Sequence, residues 1–164
     1  MIITDFSNFA RQQWVIVNDG IMGGESSSRF QINFDGNGVF LGNISLANNG
    51  GFASVKNQEP ISLKGYRTIE LKVKGDGKRY SFRFQTGTET NPDKWWYEYR
   101  FDTKADEWMT VQLPIAEFEP TYRGQTPKNV PEPDLSAIVR YGFLISDGQS
   151  GNFRLETDII SAIS

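Results

Sequence analysis

The sequence predicts an all-β fold, an antiparallel sandwich or barrel with a jelly-roll-like sandwich preferred, and three observations point to it. Apolar and polar residues alternate with a period of two along one segment after another, the pattern of strands that bury a single face. Clusters of Gly, Asn and Asp separate these segments at intervals of about ten residues, the spacing of a sandwich or barrel. No stretch carries the periodicity of a long helix. At 164 residues the chain is expected to form one domain spanning 1–164.

Ile2 to Phe6 reads as a short strand or an arm laid on the sandwich. Trp14 to Val17 is a short buried strand, after which Asn18-Asp19-Gly20 offers the positive-φ chemistry of a tight turn. Ile21 and Met22, caught between that turn and Gly23-Gly24, imply a loop that folds back and tucks one of them against the body. Phe30, Ile32 and Phe34 alternate with Arg29, Gln31 and Asn33, and Asp35-Gly36-Asn37-Gly38 is a hairpin signal leading to a strand from Val39 to Leu46. Asn48 to Gly51 turns the chain into another strand, Phe52 to Val55.

From Arg67 to Lys74 the residues Ile69, Leu71 and Val73 share a face, with Glu70, Lys72 and Lys74 opposite. Gly75-Asp76-Gly77 is expected to reverse this strand as a hairpin, so that Tyr80, Phe82 and Phe84 continue its apolar face. Tyr97, Tyr99 and Phe101 point inward along 96–102, as do Met109, Val111 and Leu113 along 107–113. Ile115 to Phe118 has room for about one helical turn. A long loop from Pro120 to Pro133 follows, then an apolar strand from Ile138 to Ser146, a turn at Asp147-Gly148 and a closing strand from Phe153 to Ile163.

Composition excludes several chemistries. The chain has no Cys and no His, so disulfides, thiol nucleophiles, thiolate metal sites and any Ser-His-Asp or Cys-His machinery are ruled out. With 17 Lys and Arg against 20 Asp and Glu, a net charge of −3, no nucleic-acid partner is expected. No apolar run is long enough for a membrane span, and MIITDFSNF lacks the basic start of a signal peptide. The chain is therefore expected to be cytoplasmic, with neither cofactor nor metal.

Two groups of residues are candidates for function. If the central strands pair side by side, Arg83, Gln85, Glu98, Arg100, Thr110 and Gln112 share a polar face with Trp96 and Trp108. Flat aromatics beside amides, carboxylates and guanidinium groups suit a carbohydrate, which stacks its C–H face and hydrogen-bonds its hydroxyls. The same residues also serve as ordinary cross-strand ion pairs. The second group lies on loops: Asn18, Asp19 and Met22 at the Gly-Gly kink, and Tyr122 and Arg123 within the Pro120 loop, where Arg123 can clamp a partner carboxylate. Asn18 and Asp19, with Asp5, Glu156 or Asp158, are also a conceivable calcium shell, against which stands the habit of Asx residues of bonding their own backbone. Gly75-Asp76-Gly77 before Lys78-Arg79 lacks the helix that a phosphate loop needs. Glu98 and Glu70 are the pair open to glycoside hydrolysis.

The motif W-x-x-V-N-D-G-x-M-G-G-x-S, starting at Trp14, resembles the opening of the complex I intermediate-associated protein family. Further blocks resemble that family in the same order: Phe40 to Leu46 with Asn49 to Val55, Lys74 to Phe82, Leu113 to Gly124, Gly142 to Leu144, and Gly151 to Leu155. The resemblance implies a galactose-binding-like β-sandwich without catalytic activity. It also implies a protein partner, whether respiratory-complex subunits or another assembly factor. The function expected is thus a non-catalytic module for protein interaction or assembly. The alternative is a carbohydrate-binding module using the Trp96, Trp108 and Arg100 face.

Overall fold

The computed structural model describes residues 1–164, apart from the side chains of Arg11, Ile21, Met22 and Asn49. Twelve strands are formed among the described residues: β1 (Ile2–Thr4), β2 (Trp14–Asn18), β3 (Ser27–Ile32), β4 (Gly38–Ile44), β5 (Ala53–Asn57), β6 (Thr68–Lys74), β7 (Arg79–Thr86), β8 (Trp96–Asp102), β9 (Trp108–Pro114), β10 (Glu119–Thr121), β11 (Ile138–Ile145) and β12 (Gly151–Ile163). They make two antiparallel sheets. The first runs β3-β4-β12-β6-β9, with β1 also on β12, and the second runs β10-β8-β7-β11-β5-β2. This is the antiparallel sandwich that the alternation predicts.

The inward face of each strand holds the apolar half of its alternation. Ile69, Leu71 and Val73 from the first sheet and Phe82, Phe84, Phe143 and Ile145 from the second are essentially buried. The aromatic rings interlock edge to face, as where Phe82 meets Phe143 at 5.5 Å and Phe40 meets Phe153 at 4.9 Å, an arrangement that the ring quadrupole favours. Strands β12 and β11 are central, each paired along both edges, and β11 is apolar because most of its residues on both faces are buried.

The structure changes three expectations. Gly75-Asp76-Gly77 is no hairpin: β6 pairs with β9 and β12, and β7 with β8 and β11, so this segment carries the chain from one sheet to the other. Asp76 fixes the crossing by accepting hydrogen bonds from the Tyr80 hydroxyl at 2.9 Å and from the backbone N–H of Arg154 at 2.9 Å. Phe34, placed inward by its alternation, is 111% exposed, because β3 ends at Ile32 and the chain is already turning. Asn18-Asp19-Gly20 does not take positive φ. Asp19 to Met22 is a short 3-10 turn, and the left-handed residue is Gly23, with φ of 87°. The hairpin at Asp35-Gly36-Asn37-Gly38 does form, joining β3 to β4.

Candidate functional site

The outward face of the second sheet is where the predicted polar residues gather. Alternation that sends Tyr80, Phe82 and Phe84 inward sends Ser81, Arg83 and Gln85 outward, and Tyr97 inward likewise sends Trp96 and Glu98 outward. Arg83 and Glu98 are direct cross-strand partners. The Arg83 guanidinium carbon stands 4.2 Å from the centroid of the Trp96 ring, a cation–π contact. Burial pushes the Arg83 guanidinium down to about 10, a shift that the carboxylate of Glu98 partly opposes. Arg83 still carries its charge at neutral pH.

Around this pair the face is only partly open. Gln85 donates to the backbone carbonyl of Asp93 at 2.5 Å and accepts from Arg140 at 3.0 Å, and it is buried by the loop before β8. Arg100 is half-exposed and lies 4.0 Å from Glu98 and 3.7 Å from Asp147. At the β10 edge, Glu98, Arg100 and Glu119 line an open cleft of about 260 Å³ whose far wall is Thr121, Gly124 and Thr126. The rest of the Pro120 to Pro133 loop is anchored on the other side of the sheet. There Tyr97, an inward residue, donates its hydroxyl to the Pro131 carbonyl at 2.8 Å, and Val130 packs on the core. The loop walls the Trp96 face without sealing it.

Trp108, Thr110 and Gln112 do not join this face. They sit on β9, in the first sheet, because β9 pairs with β6 and not with β8. The Trp108 ring lies instead under the ammonium groups of Lys74, at 5.4 Å, and Lys72, at 5.9 Å. Glu70 accepts from Gln112 at 3.0 Å on the same outer surface. Glu70 and Glu98 therefore stand on opposite outer faces of the sandwich, and the carboxylate pair needed for glycoside hydrolysis is not assembled from them.

The first loop group separates into a structural part and an undescribed one. Asp19 is 1% exposed, so it does not present its carboxylate to a partner. It accepts hydrogen bonds from the Ser26 N–H at 2.9 Å, the Ser26 hydroxyl at 2.6 Å, the Gly51 N–H at 2.6 Å and the Phe52 N–H at 3.3 Å. A Cβ at Gly24 or Gly50 would fall inside that carboxylate, which is why both positions are glycine. Burial works to raise the Asp19 carboxyl, but these donors outweigh it and hold the group below the usual carboxylate range. Asn18 accepts the Ser28 hydroxyl at 2.6 Å, tying β2 to β3. The donors to Asp19 lie at Ser26, Gly51 and Phe52, so its side chain bonds distant segments and not the backbone of its own turn as an Asx turn requires. The expectation for Met22, like that for Ile21, lies outside the described residues.

Tyr122 and Arg123 are exposed at the tip of a tight turn. Tyr122 and Gln125 exchange backbone hydrogen bonds at 2.8 and 3.0 Å, and Arg123 and Gly124 both take positive φ, 51° and 79°, as in a type I′ turn. The Arg123 guanidinium lies 5.3 Å from the Tyr122 ring.

Two cations on the second-sheet face were not among the candidates. Lys56 on β5 and Arg140 on β11 point outward beside Arg83. Each had left a signal: a single cation set within an otherwise uncharged strand, Ala53-Ser54-Val55-Lys56 and Ile138-Val139-Arg140-Tyr141. Burial lowers the Lys56 ammonium, and the charges of Arg140 and Arg83 lower it further.

A model of the family described as Complex I intermediate-associated protein 30 (CIA30) matches residues 4–157. An uncharacterized protein of Schizosaccharomyces pombe is 30% identical over 177 residues, which cover 95% of this chain and 80% of the relative. The mitochondrial complex I intermediate-associated protein 30 of Drosophila melanogaster is 23% identical over 90% of this chain, and the match spans 57% of that relative's length. The fold is shared with a family 11 carbohydrate-binding module of a Clostridium thermocellum cellulosomal cellulase, at a TM-score of 0.73 and 15% identity, covering 100% of this chain and 94% of the module. A Clostridium thermocellum family 11 module in complex with a β-1,3-1,4-mixed-linked tetrasaccharide gives 0.72 and 16%, covering 99% and 94%. At such identity the likeness speaks of the fold, a galactose-binding-like jelly roll. The family match runs through both sheets, from β1 into β12, and the chain belongs to the complex I intermediate-associated protein 30 family.

Proposed function

We propose that this chain is a non-catalytic module that docks on a protein partner during assembly of a larger complex, with intermediates of respiratory complex I as the first candidate partner. The observation that carries the reading is the outward face of the second sheet. It holds Arg83 fixed over Trp96 beside Glu98 and is bounded by the cleft under the Tyr122 to Gln125 turn. The name of the fly relative supplies the class of partner. The separation of Glu70 from Glu98, in a chain without His or Cys, supports a binding role over a catalytic one. Native electrophoresis of a tagged chain in its host tests this. Co-migration with complex I intermediates is the expected result. Migration at monomer mass in every fraction overturns the reading.

A second reading, carbohydrate binding through the same face, is favoured by the fold shared with the tetrasaccharide-bound module. Titration with that mixed-linked tetrasaccharide, followed by tryptophan fluorescence, decides it. A saturable change supports the reading, and a flat response removes it.

A further inference from the structure

Gly142 pairs with Arg83 on one side and with Lys56 on the other. Three neighbouring strands thus place two cations on either side of a residue that has no side chain, with Cα atoms about 10 Å apart. Arg140, two residues before Gly142 on the same strand, adds a third cation to the same face and is held there by Gln85 at 3.0 Å. All three are half-buried. Among the described residues no carboxylate oxygen lies within 4.0 Å of Lys56, Arg83 or Arg140, although six ion pairs of that length form elsewhere. Glu98, directly across from Arg83, has its ion pair with Arg100 at 4.0 Å. A protein with net charge −3 therefore gathers three cations around a single carboxylate at the middle of one sheet, an excess of positive charge. Like charges held together in a partly dehydrated place cost stability.

We infer that the cationic surface around Gly142 binds carboxylate side chains of an acidic segment in a partner protein, held between Lys56, Arg83 and Arg140. The inference rests on the protein-docking reading and names the chemistry of its partner. A peptide is favoured over a sugar because one face of the Trp96 ring is already taken by the Arg83 guanidinium, which leaves charge pairing as the main force available. Arginine and lysine in such a cluster recognise carboxylates with short, charge-assisted hydrogen bonds.

The test is fluorescence anisotropy of a labelled Glu-rich peptide, with a Gln-rich peptide of the same length and an oligogalacturonate as competitors. Binding of the acidic peptide is expected to weaken steeply with salt. It should weaken about tenfold or more in Lys56→Gln and in Arg140→Gln, and be retained in Lys56→Arg, with thermal melts verifying that each variant is folded. Equal affinity for the Gln-rich peptide, no loss in Lys56→Gln or Arg140→Gln, binding of the oligogalacturonate in place of the peptide, or no binding at all overturns it. Co-migration with a protein complex that persists in a Lys56→Gln, Arg140→Gln double variant leaves the docking reading standing and removes this inference.

Discussion

Arg83 and Trp96 are stacked across neighbouring strands, guanidinium carbon to ring centroid 4.2 Å, on the outward face of a sheet and not in the core. Partial burial of that cation opposes folding, as its lowered proton affinity records. Removing that charge relieves its burial cost but forfeits its contact with Trp96 and its attraction to Glu98, which Arg100 continues to neutralise, so the two effects oppose each other. Arg83→Met, which keeps an apolar side chain over Trp96, is therefore expected to change unfolding free energy in urea by no more than about 1 kcal/mol, while abolishing binding at this face. A loss well beyond that would make Arg83 a structural tie.

Asp19 predicts the opposite balance. Its carboxylate gathers donors from Ser26, Gly51 and Phe52, so it joins the turn after β2 to the approaches of β3 and β5. Asp19→Ala leaves buried N–H groups without an acceptor and should cost about 2–4 kcal/mol. Gly24→Ala and Gly50→Ala, whose added methyl enters the space of the carboxylate, should lower the urea midpoint in the same direction. A midpoint unmoved in all three variants would mean that the latch is dispensable.

The same carboxylate sets the response to acid, together with Glu156. Burial alone would raise Glu156, but Asn37, Asn33, Arg154 and Lys74 outweigh it, and both groups are held below the usual range. A carboxyl depressed in the folded state stabilises it above the unfolded value, about 4, and that contribution disappears as pH falls through the folded value. Stability should be level from about pH 7 to pH 5 and then decline below about pH 4. An Asp19→Asn, Glu156→Gln double variant should be weaker at neutral pH and show a shallower acid decline. Equal slopes for variant and parent would assign acid unfolding to other groups.

Which residues face inward was legible in the sequence almost strand by strand, because a period of two is a local property. Tyr80, Phe82, Phe84, Ile69, Leu71 and Leu113 are all buried as their alternation requires. Which strands become neighbours was not legible. Gly75-Asp76-Gly77 has the composition of a hairpin, yet the contacts that send β7 to the second sheet come from β11 and β8, far along the chain. The same non-local pairing split the expected polar face, keeping Arg83, Gln85, Trp96, Glu98 and Arg100 together and removing Trp108. Asp19 carried a turn signal that was real but was satisfied by a 3-10 turn, since distant donors at Gly51 and Phe52 claim its carboxylate. Lys56 and Arg140 were visible as isolated cations, but only β11 lying between β5 and β7 makes them neighbours of Arg83.

Trp108 turns that split into a measurement. It lies on β9, at the edge of the first sheet, 42% exposed and covered by Lys74 and Lys72, whereas Trp96 belongs to the second sheet. Exposed cation–π contacts contribute about 0.5–1 kcal/mol each, so Trp108→Phe should leave the urea midpoint nearly where it was. A ligand seated over Gly142 perturbs the Arg83–Trp96 stack and hence the emission of Trp96, leaving Trp108 on the opposite outer face unaffected. Ligand-linked fluorescence change should therefore persist in Trp108→Phe and vanish in Trp96→Phe. The reverse outcome would move the binding surface to the first sheet, where Trp108 and the two lysines stand.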